Sequence, residues 1–148
     1  MTSDQADRPD QNGTLRMVLP ENLSSHEQIM PERVREVMQD IEREGTLNVP
    51  LLVDRSTRVI LDGHHRYNAL QKLGAKRIPC LEIKYLNNQE IKLEPGPNCP
   101  LDTLNREDVL EMGQSDSLFP PKSTRHRVTF NYPEITIPLR DLKEAPDR

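Results

Sequence analysis

Three short segments of the chain carry side chains equipped for chemistry. The richest is Asp62-Gly63-His64-His65-Arg66, which falls where an apolar strand gives way to a helix. Gly63 permits a sharp backbone turn there. The first turn of the helix that follows presents unpaired N–H groups and a partial positive charge, a setting suited to a phosphate. Arg66 and the two imidazoles add donors at the same end. That end of a helix favours Asp and Glu, so cationic groups placed there cost helix stability unless an anion is bound. The competing reading has Asp62 capping the helix while His64 and His65 are merely exposed. A transition-metal site is a weaker option, because no further ligands stand at a suitable spacing.

The second segment, Lys122-Ser123-Thr124-Arg125-His126-Arg127, follows Pro120-Pro121 and precedes a strand. Its basic groups and hydroxyls would suit a carboxylate or a phosphate, although composition alone reads it as a solvated turn. In the third, Ser24-Ser25-His26-Glu27, a serine would cap a helix and Glu27 would be the acid of a capping box. All four histidines, His26, His64, His65 and His126, lie in these segments.

The elements that must position them are legible from periodicity. Leu15 to Leu19 is a short apolar stretch stopped by Pro20. Pro31 suits a first helical position, and Val34, Val37, Met38 and Ile41 form one apolar stripe ended by Gly45. Two apolar runs, 50–53 and 59–61, flank the polar turn 54–58 and read as a hairpin. A helix runs from the His64 region to Leu73 and closes at Gly74. Ile78 to Tyr85 is a strand, Asn87 to Pro100 a loop or lid, and a short helix begins near Asn105. Arg127 to Tyr132 and Ile135 to Ile137 read as strands. The expected architecture is α+β: one compact domain over residues 15–142, a small mixed sheet packed with about three helices. Disordered tails are expected over 1–14 and 143–148.

Composition narrows the function. The 148 residues are 34% hydrophobic and 30% charged, with a mean hydropathy of -0.76. That is lean for a core but not the profile of a disordered chain. Twenty Lys and Arg against 24 Asp and Glu leave a net charge of -4, a poor basis for general nucleic-acid binding. No apolar run approaches membrane-spanning length. Cys80 and Cys99 have neither metal-ligand nor redox spacing and fit a reducing compartment, hence the cytoplasm. The six glycines are isolated, so neither a P-loop nor a dinucleotide-binding turn is present.

From Val59 through Asp62-Gly63-His64-His65-Arg66 and Leu73-Gly74 to Ile78-Pro79, the chain resembles the ParB/sulfiredoxin superfamily. Within it, the order of three segments is most similar to the free L-serine kinases: His26-Glu27, the Asp62–Arg66 motif, and Pro121 to His126. The resemblance covers roughly residues 15 to 142. It implies phosphoryl transfer from ADP or ATP to the hydroxyl of L-serine, giving O-phospho-L-serine. Glu27 would be the general base, and Gly63, His64, His65 and Arg66 would cradle the nucleotide phosphates. Asp62 would orient Mg²⁺ or the substrate amine; the metal ligands themselves are not assigned. Thr124 and His126 would grip the serine, with Lys122, Ser123 and Arg125 beside them for its carboxylate or for phosphate. Stacking on adenine would fall to Tyr67, Tyr85, Phe119, Phe130 or Tyr132.

The resemblance also offers rivals. Sulfiredoxins use a cysteine within the motif, and none stands there. Chromosome-partition ParB proteins read DNA through a helix-turn-helix domain, for which too little chain follows. A nuclease would need a carboxylate cluster that is not visible. The remaining alternative is a non-catalytic nucleotide or amino-acid sensor, which would keep the phosphate motif and need no base. The expected partners are thus nucleotide and serine, without nucleic acid or membrane, and the oligomeric state is left open.

Overall fold

A computed structural model of the chain describes residues 13–144. The expected tails fall largely outside those residues. At their inner edges Thr14 already belongs to a strand and Lys143 to a helix.

The centre of the fold is a four-stranded sheet built from β1 (Thr14–Val18), β3 (Leu51–Asp54), β4 (Ile60–Asp62) and β5 (Ile78–Ile83), in the order β1-β5-β3-β4. β5 runs parallel to β3, while β1 and β4 are antiparallel to their neighbours. The side-chain period of two sends alternate residues to opposite faces, and both faces are covered. Leu51, Val53, Ile60, Ile78 and Cys80 enter one core with Val34, Ile41, Ala69 and Leu70. Those four come from α1 (Pro31–Glu44) and α2 (His64–Lys72). Leu52, Val59, Leu61, Leu81 and Ile83 enter the other core, with Tyr85, Ile91, Val109 and Leu110. That second layer comprises α3 (Arg106–Gly113) and the two-stranded ladder of β6 (Ile91–Pro95) with β7 (Thr124–Val128). A second small ladder joins β2 (Thr46–Leu47) to β8 (Ile137–Pro138), and α4 (Leu139–Lys143) follows.

The α+β expectation holds, with corrections of detail. Four α-helices are described instead of about three. The loop expected over Asn87 to Pro100 contains β6, because Ile91 and Leu93 find the apolar side of β7. The segment Thr124–His126 is itself strand, not a turn, and β7 ends at Val128, well before Tyr132. Asn105 caps α3 in a full capping box with Asp108.

Two buried carboxylates of the sheet, Asp54 and Glu82, are compensated by neighbouring donors and cations. Asp54, buried at the end of β3, accepts from the Thr57 N–H at 3.0 Å, the Thr57 hydroxyl at 2.7 Å and the Tyr85 N–H at 3.2 Å. This turns the chain at 54–58, where Arg58 takes a φ of 64°. Glu82 is 1% exposed and is flanked by Arg16 at 3.2 Å and Arg58 at 3.0 Å.

Candidate functional site

The sheet ends and α2 begins at one point, and the fold brings the two other segments to it. Residues 24–28 run as an extended strap. The Ser24 N–H donates to the Arg58 carbonyl at 3.0 Å and the Ile60 N–H to the Ser24 carbonyl at 2.8 Å. Two residues on, the Phe119 N–H donates to the His26 carbonyl and the Gln28 N–H to the Phe119 carbonyl, both at 2.9 Å. Glu27 is therefore fixed on a backbone zipper and not in a helix; the capping-box reading fails because α1 starts only at Pro31.

The turn before β7 is held as tightly. Lys122 takes a φ of 64°, and the Gly96 N–H donates to the Ser123 carbonyl at 2.8 Å. A Cβ on Gly96 would lie 2.2 Å from the Lys122 carbonyl oxygen, so this approach requires glycine. The turn aims three donors at the Glu27 carboxylate: the Lys122 N–H at 3.1 Å, the Thr124 N–H at 3.0 Å and the Thr124 hydroxyl at 2.9 Å. The Glu27 side chain is 13% exposed. Burial pushes its pKa above the ordinary value, opposed by those hydrogen bonds. A carboxylate that is held still and made more basic is the form a general base needs.

Glu27 faces a cleft of about 500 Å³, within the usual range for small-molecule sites. Asp62, Gly63, His64, His65 and Arg66 line one side of it, and Lys122, Thr124, Arg125 and His126 another. Ser123 does not: it is fully buried, and its hydroxyl donates to the Pro120 carbonyl at 2.7 Å. Arg33 of α1 also lines the cleft, a cation that the sequence reading missed because it sits on the exposed side of an ordinary amphipathic helix. Four cationic side chains, Arg33, Arg66, Lys122 and Arg125, thus stand against two carboxylates, Glu27 and Asp62. This local excess of positive charge contrasts with the chain's net -4.

Gly63 is the residue before α2 and takes a φ of 110°, with no side-chain cap at that end. Asp62 is therefore not the cap, and its exposed carboxylate stands at the rim of the cleft. Nor are the histidines simply exposed. His64 is buried, and its Nε2 accepts the His26 backbone N–H at 3.1 Å. The Nε2 of His65 accepts the Met30 N–H at 3.1 Å. Both rings are thus neutral, each with its proton on Nδ1. Burial is the leading cause of lowered pKa values in both, with nearby cationic groups and other histidines adding to it. The expected clash of imidazolium charge with the helix end does not arise, since the imidazoles act as acceptors that tie the strap to α2. What α2 offers an anion is its first-turn N–H groups together with Arg66. The Arg66 guanidinium folds over Gly63, with Nη2 3.4 Å from the Pro50 carbonyl, and its buried Nε has no partner.

His126 presents its ring to the cleft but is engaged behind it, where Tyr85 lies 2.8 Å from Nε2. Tyr85 is fully buried, and burial carries the His126 pKa down to about 3. None of the five aromatic side chains proposed for stacking lines the cleft; its apolar wall is Val37, Leu61 and Pro97. Among the described residues no cluster of three His, Cys, Asp or Glu forms a metal site. Asp62 lines the cleft with an exposed carboxylate, the kind of ligand that Mg²⁺ would take from a protein when phosphate and water complete its shell.

The model of the ParB N-terminal domain family matches residues 4–94. The chain belongs to that family. It is 30% identical over 90 residues to a Staphylothermus marinus protein named ATP-dependent L-serine kinase, an overlap of 58% of this chain and 35% of the relative. A Desulfurococcus mucosus protein of the same name is 36% identical over 78 residues, covering 50% of this chain and 30% of that one. The chain spans about a third of the length of these curated relatives. Among solved structures, a free serine kinase in complex with AMP superposes with a TM-score of 0.75 at 17% identity, covering 88% of this chain and 93% of that one. That likeness shows the shared ParB-type α+β fold. Among the described residues, no helix is long and apolar enough to cross a membrane.

Proposed function

We propose that the cleft phosphorylates free L-serine, using ADP or ATP as donor and releasing O-phospho-L-serine. The observation that carries this reading is Glu27: a mostly buried carboxylate, made more basic by burial and locked by three donors, facing a cleft with four cationic side chains. The names of the two curated relatives support serine as acceptor and ATP as donor.

In this reading the first turn of α2, Gly63 and Arg66 receive the donor phosphates. His64 and His65 hold that turn against the strap, and Asp62 would hold a nucleotide-bound Mg²⁺, which would supply charge neutralisation for the phosphates. Lys122 and Arg125 stand where a serine carboxylate or the moving phosphoryl group needs positive charge. Thr124 and His126 form the wall against which serine lies. Glu27 takes the proton from the serine hydroxyl as its oxygen attacks the terminal phosphorus, and the bond to the bridging oxygen breaks to leave the shortened nucleotide. Such transfer requires mainly positioning and charge neutralisation, which this residue set supplies. The partners are small molecules, and the compartment is a reducing, cytoplasmic one.

A ³¹P NMR time course with L-serine, Mg²⁺ and either ADP or ATP tests the reading. Growth of an O-phosphoserine resonance with loss of the donor's terminal phosphate supports it and identifies the donor. Nucleotide binding without product, with both donors, would replace it with the non-catalytic sensor.

A further inference from the structure

Behind Glu27 lies a group that the reaction as described does not use. His26 is fully buried. Its Nδ1 is 2.7 Å from the Ile60 carbonyl and its Nε2 2.9 Å from the Thr124 hydroxyl, which is itself 2.9 Å from Glu27 Oε1. Each of these three contacts needs one hydrogen. A carbonyl cannot donate, so the hydrogen of a neutral imidazole must sit on Nδ1, which leaves Nε2 an acceptor. Thr124 then has one hydroxyl hydrogen and two acceptors competing for it, Nε2 and the carboxylate. With Glu27 ionised, one contact is unfilled. With Glu27 protonated on Oε1, all three fill: Oε1–H donates to Thr124, and the Thr124 hydroxyl turns to His26.

We propose that His26 is a positioning residue that sets the basicity of Glu27 through the Thr124 hydroxyl, which swings from the carboxylate to Nε2 when Glu27 gains a proton. The proposal rests on the serine-kinase reading for its role in catalysis, but the coupling itself does not. When the serine O–H bond breaks, its proton forms an O–H bond on Glu27, and the threonine hydroxyl rotates without breaking a bond. His26 stays neutral throughout, with its hydrogen on Nδ1. Burial favours that state, holding its pKa down at about 4. The surroundings do likewise: His64 packs edge-on at 4.6 Å between ring centroids and His126 at 5.9 Å, with Phe119 on a further side. The Glu27 carboxylate itself lies 4.0 Å from His26 Nε2, and neither neighbouring imidazole adds a counter-charge for an imidazolium. The charged groups facing Glu27 across the cleft are Arg33, Asp62, Arg66, Lys122 and Arg125, with neutral His65 beside them; none touches the hydroxyl that links the pair.

The test is a pH titration of the unaltered protein by NMR, with ¹⁵N-labelled histidine and ¹³C-labelled glutamate. The Glu27 carboxyl carbon and His26 Nε2 are expected to move with one common midpoint, as coupled sites do, while Nδ1 keeps its proton. Separate midpoints, an unmoved Nε2, or protonation of His26 in place of Glu27 would each overturn the proposal. His26→Asn retains a donor for Ile60 but falls short of Thr124, so the hydroxyl stays on Glu27. Its midpoint is expected to fall by about one pH unit, and the acid limb of kcat/KM with it, with a plateau lowered up to about tenfold. His26→Gln reaches Thr124 with its amide oxygen and is expected to restore both. A midpoint in His26→Asn equal to that of the unaltered chain refutes the coupling. If no O-phosphoserine forms yet the two nuclei titrate together, the kinase reading fails and the coupling stands.

Discussion

Gly96 is far from any motif, yet the structure makes it a condition for the site. An alanine Cβ at 96 would lie 2.2 Å from the Lys122 carbonyl oxygen and 2.8 Å from its carbon. Both are backbone atoms, so no side chain can swing away, and relief needs a displacement of about 1 Å to reach ordinary contact distance. That shift loosens the Gly96 N–H to Ser123 bond at 2.8 Å and the Asn98 N–H to Lys122 bond at 3.1 Å. At about 1 kcal/mol for each of the two hydrogen bonds and 1–3 kcal/mol for overpacking, Gly96→Ala should cost about 3–5 kcal/mol. The same shift moves the Lys122 and Thr124 N–H groups off Glu27, and a misplacement of that size can cost about 100-fold in rate. Gly45→Ala is the control. Gly45 has a φ of 75° but nothing within 4 Å of its Cβ position, so it should lose about 1–2 kcal/mol from backbone strain and no activity. Urea denaturation and serine phosphorylation, measured on both variants, decide the matter. Gly96→Ala with unchanged stability and turnover would refute the reasoning.

Tyr85→Phe leaves the buried His126 Nε2 without its partner at 2.8 Å and should lower stability by about 1–3 kcal/mol in chemical denaturation. Arg33→Ala removes one of the four cations of the cleft but no core contact; by calorimetry it should weaken nucleotide binding several-fold, increasingly so at low salt, with the melting temperature unchanged. Acid should destabilise the fold from pH 6.5 downward. His64 and His126 are held neutral in the native state, with His126 at about 3, whereas the unfolded chain protonates near 6.5. The unfolded state therefore binds more protons below 6.5, and stability falls by about 1.4 kcal/mol per pH unit for each histidine until the native pKa is reached. Denaturation midpoints followed from pH 7 to pH 4 check the direction.

The elements carried by periodicity and apolar runs were legible: α1 with Pro31 and Gly45 at its ends, the hairpin around 54–58, and the wholly buried run of β5. The strands of the second layer were legible only in part: β7 reads as starting three residues late, at Arg127, and β6 is missed, because the charged Lys92, Glu94 and Arg125 interrupt their short apolar alternation. Ten of the eleven expected site residues line one cleft, and their meeting there could be anticipated only from the family's motif order. Their local chemistry could not. That His64 and His65 accept backbone hydrogen bonds and that His26 stands behind Glu27 depend on contacts between segments separated by 35 residues or more, and nothing in the composition of its segment marks Ser123 as facing inward. Arg33 shows the same limit, since nothing in an amphipathic pattern distinguishes a solvated arginine from one that faces a cleft.

The central claim is that Glu27 is the base of a serine kinase and not a structural acid in a binding site. Glu27→Gln keeps the shape, and its amide oxygen can take the place of Oε1 as acceptor for the Thr124 N–H and hydroxyl, leaving the Lys122 N–H without its Oε2 partner, but it cannot take a proton at neutral pH. Nucleotide affinity by calorimetry and O-phosphoserine formation by ³¹P NMR, measured on the same preparation, give the most direct test. The account predicts affinity within about threefold of the unaltered chain, with turnover reduced by 100-fold or more. Turnover that survives the substitution would contradict it.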